Sequence, residues 1–268
     1  MFPVAQKASP QTPVNGSPII NIFVTSKTIL PRFLGNIPMD KKITAIVLGA
    51  TDYKENDKML TLLSPDGKFN VVLRGVKKKD AKLKSFAQPF CFAEFVVAGG
   101  ALPVVTGASM QDAFYELAYE PEKYFCGNAI LELASHATSY ETPCPEVFLC
   151  VMSALRALRY TDVASSTVFV KFAFELVGVL GYRQRYDACN LCGEVPTEFG
   201  IDLTLGGLVC MACAEARAID VDTARLLWKI NTRPWDELGA LNADGIVKTV
   251  AKECERLLGV RLRSVEYL

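Results

Sequence analysis

Apolar residues recur in short runs at residues 43–48, 59–63, 69–74, 91–97 and 103–108, separated by turn-forming residues, and this pattern predicts five β-strands. Between the second and third runs stands Ser64-Pro65-Asp66-Gly67. Its proline presets φ and its glycine tolerates a positive φ, so the two runs form a hairpin. Gly99-Gly100 makes a second connection between the last two runs. Five strands in about 70 residues suit a small Greek-key barrel of the OB-fold kind, an architecture that often binds oligonucleotides.

After Gln111 the period lengthens to that of a helix. Glu116 and Leu117 lead through Pro121 into Ile130, Leu131, Leu133 and Ala134. Residues 146–160 set Val147, Val151, Leu155 and Leu158 on one side, with Arg156 and Arg159 sharing the other. Residues 167–180 are apolar almost all round, which predicts a central buried helix stopped by Gly181. Two more helices are expected at 222–231 and 244–258. The reading is α+β: an N-terminal OB-fold β-barrel over residues 40–110, then an all-α domain over residues 111–268.

Residues 1–39 differ from the rest, with six of the 14 prolines and no acidic residue, and are expected to form a disordered, dispensable extension. The apolar stretch at 18–24 is too short and too weakly flanked for a secretory signal. Met39, followed by Asp40, Lys41 and Lys42, reads as a natural start.

With 268 residues, half of them apolar, the chain can bury a real core. No run reaches the roughly 18 to 20 uncharged apolar residues that a membrane span needs. The formal charge is zero, but residues 40–110 hold 11 basic against 7 acidic residues, while residues 111–268 hold 15 against 22. That asymmetry points to an acidic partner for the basic half.

Nine cysteines scattered through a chain of this size, without a secretory signal, imply a reducing cytoplasm. Four of them stand apart in pattern. Cys189 and Cys192 form one C-x-x-C, Cys210 and Cys213 another, and 17 residues separate the pairs. A two-residue spacer lets both thiolates of a pair face one ion, and the loop returns the second pair to complete a tetrahedron, so a zinc module is expected at 187–216. Two disulfides or unrelated buried thiols are the alternative. With four sulfur ligands the zinc would be structural. The remaining cysteines, Cys91, Cys126, Cys144, Cys150 and Cys254, occur singly in apolar or helical surroundings and read as ordinary thiols.

Residues 68–84 contain seven basic side chains (Lys68, Arg74, Lys77, Lys78, Lys79, Lys82, Lys84) against one acid, Asp80. Flexible ammonium groups suit phosphate contact without sequence readout. Following the third strand, such a loop could border a groove that tracks a single strand. A solvated loop that keeps the barrel soluble has the same composition. Phe69, Phe86, Phe90 and Phe92 could stack on bases, although each also suits the core. No enzyme signature is present. The one histidine, His136, lies in a helical apolar context, and neither a phosphate-binding G-x-x-x-x-G-K-[ST] loop nor H-E-x-x-H occurs. Asp52, Glu55 and Asp57 read as a solvated turn.

In order along the chain these pieces resemble the bacterial RecO family. Ala45-Ile46-Val47-Leu48 with Tyr53 to Asp57 is similar to that family's first strand and turn. Leu73-Arg74-Gly75-Val76-Lys77-Lys78, then Leu83-Lys84 and Gln88-Pro89-Phe90, resembles its basic signature. The cysteine pairs, Gly206-Gly207-Leu208-Val209-Cys210, and the closing Arg263-Ser264-Val265-Glu266-Tyr267-Leu268 resemble its zinc module and C-terminal end. The likeness covers residues 41–268. It implies a non-catalytic recombination mediator in DNA repair, cytoplasmic and nucleoid-associated. Such a protein binds single- and double-stranded DNA, anneals complementary strands and works with RecR to load RecA onto strands covered by single-strand-binding protein. Carried over, Arg74, Lys77, Lys78, Lys79, Lys82 and Lys84 are the expected DNA contacts. The family has more arginine where this chain has Lys77 to Lys79, which keeps phosphate attraction but weakens bidentate contact. The competing classes are a protein-interaction scaffold with a zinc ribbon and a nucleotide-modifying enzyme with a structural zinc.

Overall fold

The computed structural model describes residues 41–268 apart from residues 101, 183, 204, 214–217 and 220. The extension expected at 1–39, and the end of the zinc module at 214–216, lie outside the described residues. The barrel strands are β1 (Lys41–Asp52), β2 (Lys58–Ser64), β3 (Gly67–Leu73), β4 (Cys91–Ala98) and β5 (Val104–Ala113). β1 pairs antiparallel with both β2 and β4, β2 with β3, and β4 with β5. A parallel pair at Val72 and Val104 closes the ring in the order β1-β2-β3-β5-β4. β1 carries an irregularity between Val47 and Gly49 where it pairs with β2.

The strands alternate as the pleat requires. Ala45, Val47, Leu60, Leu62, Val71, Leu73, Phe95 and Val97 fill the barrel interior. Their neighbours Ile46 and Leu63 point outward and join the core of the helical part. Burial on both faces explains why Ala45 to Leu48 is an unbroken apolar run.

A 3-10 turn (Phe114–Tyr119) leads into α1 (Pro121–Ala137), α2 (Pro145–Tyr160) and α3 (Ser165–Val179). Both α1 and α2 begin with proline at the first helical position and glutamate next, as the unpaired N–H groups and the dipole of a helix start favour. α3 is buried almost all round, with Phe169, Phe172 and Leu176 fully enclosed. It also buries an ammonium. Lys171 Nζ donates to the carbonyls of Asn231 and Arg233 at 3.2 and 2.9 Å and lies 3.6 Å from Glu175.

Beyond α3 the expectation of an all-α domain is corrected. Three short strands, β6 (Phe199–Asp202), β7 (Gly207–Cys210) and β8 (Ala218–Ile219), form a sheet in the order β7-β6-β8. Strands of two to four residues are too short to display an alternating pattern. α4 (Val221–Thr232) and α5 (Val247–Leu258) follow, and a 3-10 turn (Ser264–Tyr267) ends the fold. α5 starts three residues later than expected because residues 244–246 form a turn, closed by Ile246 N–H donating to Ala243 O at 2.9 Å and entered at Asn242, whose side chain accepts from the Asp244 N–H at 2.8 Å. Among the described residues no helix is long and apolar enough to cross a membrane.

The barrel is locked to the helices at the β2–β3 hairpin. Cys144 N–H donates to Pro65 O at 2.9 Å, and Glu141 N–H to Lys68 O at 3.1 Å. Lys68 is only 7% exposed, because its ammonium turns inward to Ser135 O at 2.6 Å beneath the Tyr140 ring. Gly67 has a φ of 123°, and a Cβ there would lie 2.6 Å from Thr142 O. The hairpin therefore requires glycine both for its backbone and for its closeness to the α1–α2 loop.

Candidate functional site

The first site is the cysteine cluster, built where β7 meets the loop that follows α3. Arg185 N–H donates to Gly206 O at 2.7 Å and Leu208 N–H to Arg185 O at 3.0 Å, which lays the 185–192 segment along β7. Gly207, at a φ of 111°, allows this approach, because a Cβ there would sit 2.4 Å from Arg185 O. Asn190, inside the first C-x-x-C, fastens the two halves. Its side-chain amide donates to Gly206 O at 2.6 Å and Leu208 O at 3.1 Å, while its N–H also reaches Leu208 O. Sequence reasoning passed over Asn190, because an asparagine between two cysteines reads as a turn residue.

This scaffold brings the sulfurs of Cys189, Cys192, Cys210 and Cys213 within 4.8 Å of one another. Cys192 and Cys210 Sγ are 3.8 Å apart. A tetrahedron with metal–sulfur bonds of about 2.3 Å has edges of about 3.8 Å, so the donor set can hold one metal ion. Burial opposes ionisation of Cys189, but the N–H groups of Cys192, Cys210 and Leu191 outweigh it and bring this thiol down to about 6. Contacts with Cys210 and Cys192 drive Cys213 up to about 12. Cys189 is thus favoured as a thiolate, whereas Cys213 needs a cation beside it to ionise. The single cysteines contrast with this. Burial alone pushes Cys91 up to about 12, and burial is also the main cause that holds Cys150 and Cys254 near 12.

The second site is the loop of residues 74–84 after β3. Val76 and Ala87 bury themselves in the barrel core and pin the loop, while Arg74, Lys77, Lys78, Lys79, Lys82 and Lys84 are exposed. The β1–β2 turn braces it from beside. Asp57 accepts from Gly75 N–H at 2.8 Å, Lys77 N–H donates to Asn56 O, and Lys77 Nζ pairs with Asp52 at 2.8 Å. Asp52 and Asp57 therefore shape the loop rather than merely meeting solvent. Lys77 has an acidic partner, whereas the other five cations have none among the described residues. Lys68, counted with the basic segment by sequence, belongs to the hairpin lock. Of the aromatic residues, Phe90 is buried, Phe92 packs on Phe148, and Phe86 meets Phe95 edge to face. On the helical part Arg156 is exposed, and Arg159 is ion-paired with Glu116. His136 lies on α1 and lines a groove beside the barrel.

Residues 39–114 match the family described as Recombination protein O N terminal, and residues 118–264 the one described as Recombination protein O C terminal. Among curated relatives, the DNA repair protein RecO of Desulforamulus reducens is 29% identical over 177 residues, covering 65% of this chain and 68% of the relative. The namesake in Desulfitobacterium hafniense is 34% identical over 175 residues, 63% of each chain. That of Exiguobacterium sibiricum is 28% identical over 251 residues, covering 86% of this chain and 96% of the relative. Matched through both its barrel and its helical part, the chain belongs to the recombination protein O (RecO) family of DNA repair proteins.

Proposed function

We propose that this chain is a non-catalytic recombination mediator whose barrel, an OB-fold, holds DNA through the 74–84 loop. The observation that carries this reading is the set of five exposed cations without acidic partners among the described residues, Arg74, Lys78, Lys79, Lys82 and Lys84, on a loop pinned at one end of a closed barrel. Cations on a fixed loop gain by meeting phosphates, because each contact releases condensed counterions and asks little reordering of the backbone. Lys77, already paired with Asp52, would join by exchanging that partner for phosphate. Ammonium groups read charge rather than sequence. The loop suits both single- and double-stranded DNA and the annealing of one strand to another.

Cys189, Cys192, Cys210 and Cys213 would hold zinc, whose role with four thiolates is structural: it ties the 185–192 segment to β7. Family membership supports the remaining assignments. The protein would act in the cytoplasm at the nucleoid, and with RecR would load RecA onto strands covered by single-strand-binding protein. A mobility shift of single-stranded DNA, with and without single-strand-binding protein, tests the reading. A shift in both cases, with annealing of complementary strands, is expected. Absence of any shift would leave a zinc-bearing protein-interaction scaffold in its place.

A further inference from the structure

A groove of about 490 Å³ runs along the seam between the barrel and α1, within the size range of small-ligand sites, about 300–1,000 Å³. Its floor is Leu48, Gly49 and Leu131, and three partly exposed tyrosines, Tyr124, Tyr140 and Tyr267, stand around it. The rings are held in place. Tyr124 meets Phe90 and Phe125 edge to face at 5.9 and 5.7 Å, and Tyr267 stacks on Phe125 at 4.7 Å. Tyr140 is fixed from behind by the buried ammonium of Lys68, 4.7 Å from its ring centre. Exposed aromatic faces that are already immobilised lose little entropy on receiving another flat ring.

The polar lining fits the edges of such a ring. Asn128, Thr61 and His136 offer donors and acceptors, and Arg263 adds an exposed guanidinium without an acidic partner among the described residues. The one carboxylate among the described lining residues, Glu132, is engaged: it accepts from the N–H groups of Arg263 and Ser264 and from the Ser264 hydroxyl. The position along the barrel matters as well. Gly49 pairs with Thr61 in the same two strands whose far ends, Asp52 and Lys58, lie against the basic loop. Three strand steps lead from Gly49 to Asp52, about 10 Å, so a short stretch of single strand can reach both.

The geometry points to this seam groove as a base-stacking site for single-stranded nucleic acid, continuous with the basic loop: phosphates run over the loop and a base enters beside Tyr267 and Tyr140. This rests on the DNA-binding reading given above. The loop supplies attraction that salt screens, and the groove supplies stacking that salt barely touches. Gly49 makes the groove open, since a Cβ built there meets nothing within 4 Å. A phenylalanine at that position fills the groove without disturbing the strand.

The test compares a short thymidine oligonucleotide with an abasic oligonucleotide of equal length, measured by fluorescence anisotropy on the full chain, the Gly49→Phe variant and the Tyr267→Leu variant. Thermal melts verify that each variant is folded, and the second variant stands if the first is not. The wild type is expected to bind the base-bearing strand about five-fold or more tighter than the abasic one, the loss of one stacked base. Either variant should erase that difference and leave abasic affinity and salt slope unchanged. Equal binding of the two strands by the wild type, or a difference that survives both variants, overturns the groove and leaves the DNA-binding loop standing. In that case a peptide becomes the better occupant. Failure of the wild type to bind either strand overturns both readings.

Discussion

Replacing Gly67 by alanine probes the joint between barrel and helices. The new Cβ would lie 2.6 Å from Thr142 O and 2.8 Å from Thr142 N, which are backbone atoms and cannot rotate aside. At a φ of 123° an alanine also carries backbone strain, about 1–3 kcal/mol. Relieving the clash moves the hairpin away from the α1–α2 loop and strains the Cys144–Pro65 and Glu141–Lys68 hydrogen bonds, each contributing about 0.5–1.5 kcal/mol. The reduced entropy of the unfolded chain returns about 0.4–1 kcal/mol. Together these give a loss of about 2–5 kcal/mol, or a melting temperature lower by roughly 5–15 °C for a domain of this size. Gly100 supplies the control. Its φ is 140°, but a Cβ there meets nothing within 4 Å, so Gly100→Ala carries the strain without the clash. Urea unfolding followed by far-UV circular dichroism on both variants separates the two effects. Equal destabilisation, within about 0.5 kcal/mol, would refute the claim that the hairpin is docked this closely.

Asn190→Ala should release the first cysteine pair from β7 and weaken metal retention by about 10-fold or more, measured by competition with a chromogenic chelator; unchanged affinity would contradict the fastening role. Cys192→Ser should release the metal, and elemental analysis of the wild type should find one zinc per chain; none in protein prepared without chelator or acid would end the assignment. Lys171→Ala should cost about 3–5 kcal/mol in urea unfolding, since it strips the Asn231 and Arg233 carbonyls and leaves Glu175 without its cation; a loss under about 1 kcal/mol would contradict it. Burial would raise the Glu132 carboxyl, but hydrogen bonds from Ser264 and Arg263 hold it below the usual carboxylate range. Its contribution is therefore present above the unfolded carboxyl value and lost as pH falls through the lower folded one. Glu132→Gln should cost about 1–2 kcal/mol at neutral pH, with the gap to wild type closing in strong acid, and a gap independent of pH would refute this.

Much of the architecture is legible in sequence, and the exceptions share physical causes. The five barrel strands announce themselves because runs such as Ala45 to Leu48 face two cores at once. α3 shows in the same way, since nearly every side of it is enclosed. β6, β7 and β8 leave no trace, because at four residues or fewer their pairing is set by the cysteine scaffold rather than by an apolar face. Lys68 misleads for the opposite reason: lysine reads as solvated, yet its ammonium finds a carbonyl inside. The four cysteines are legible because ligand spacing is local. The partner of Lys77 is not, because Asp52 reaches it across 25 residues of chain.

The central claim, that the loop at residues 74–84 holds DNA by charge, is tested most directly by the salt dependence of binding. Affinity for a single-stranded oligonucleotide is measured between about 50 and 200 mM salt for the wild type and for a chain with Lys78, Lys79 and Lys82 changed to alanine. Because three ammonium groups no longer meet phosphate, the slope of log affinity against log salt should shrink by about 2, with binding weakened alike for every sequence and zinc content unchanged. An unaltered slope and affinity in the triple variant would contradict the account and move the DNA contact elsewhere, with Arg156 and Arg159 of α2 the next to change.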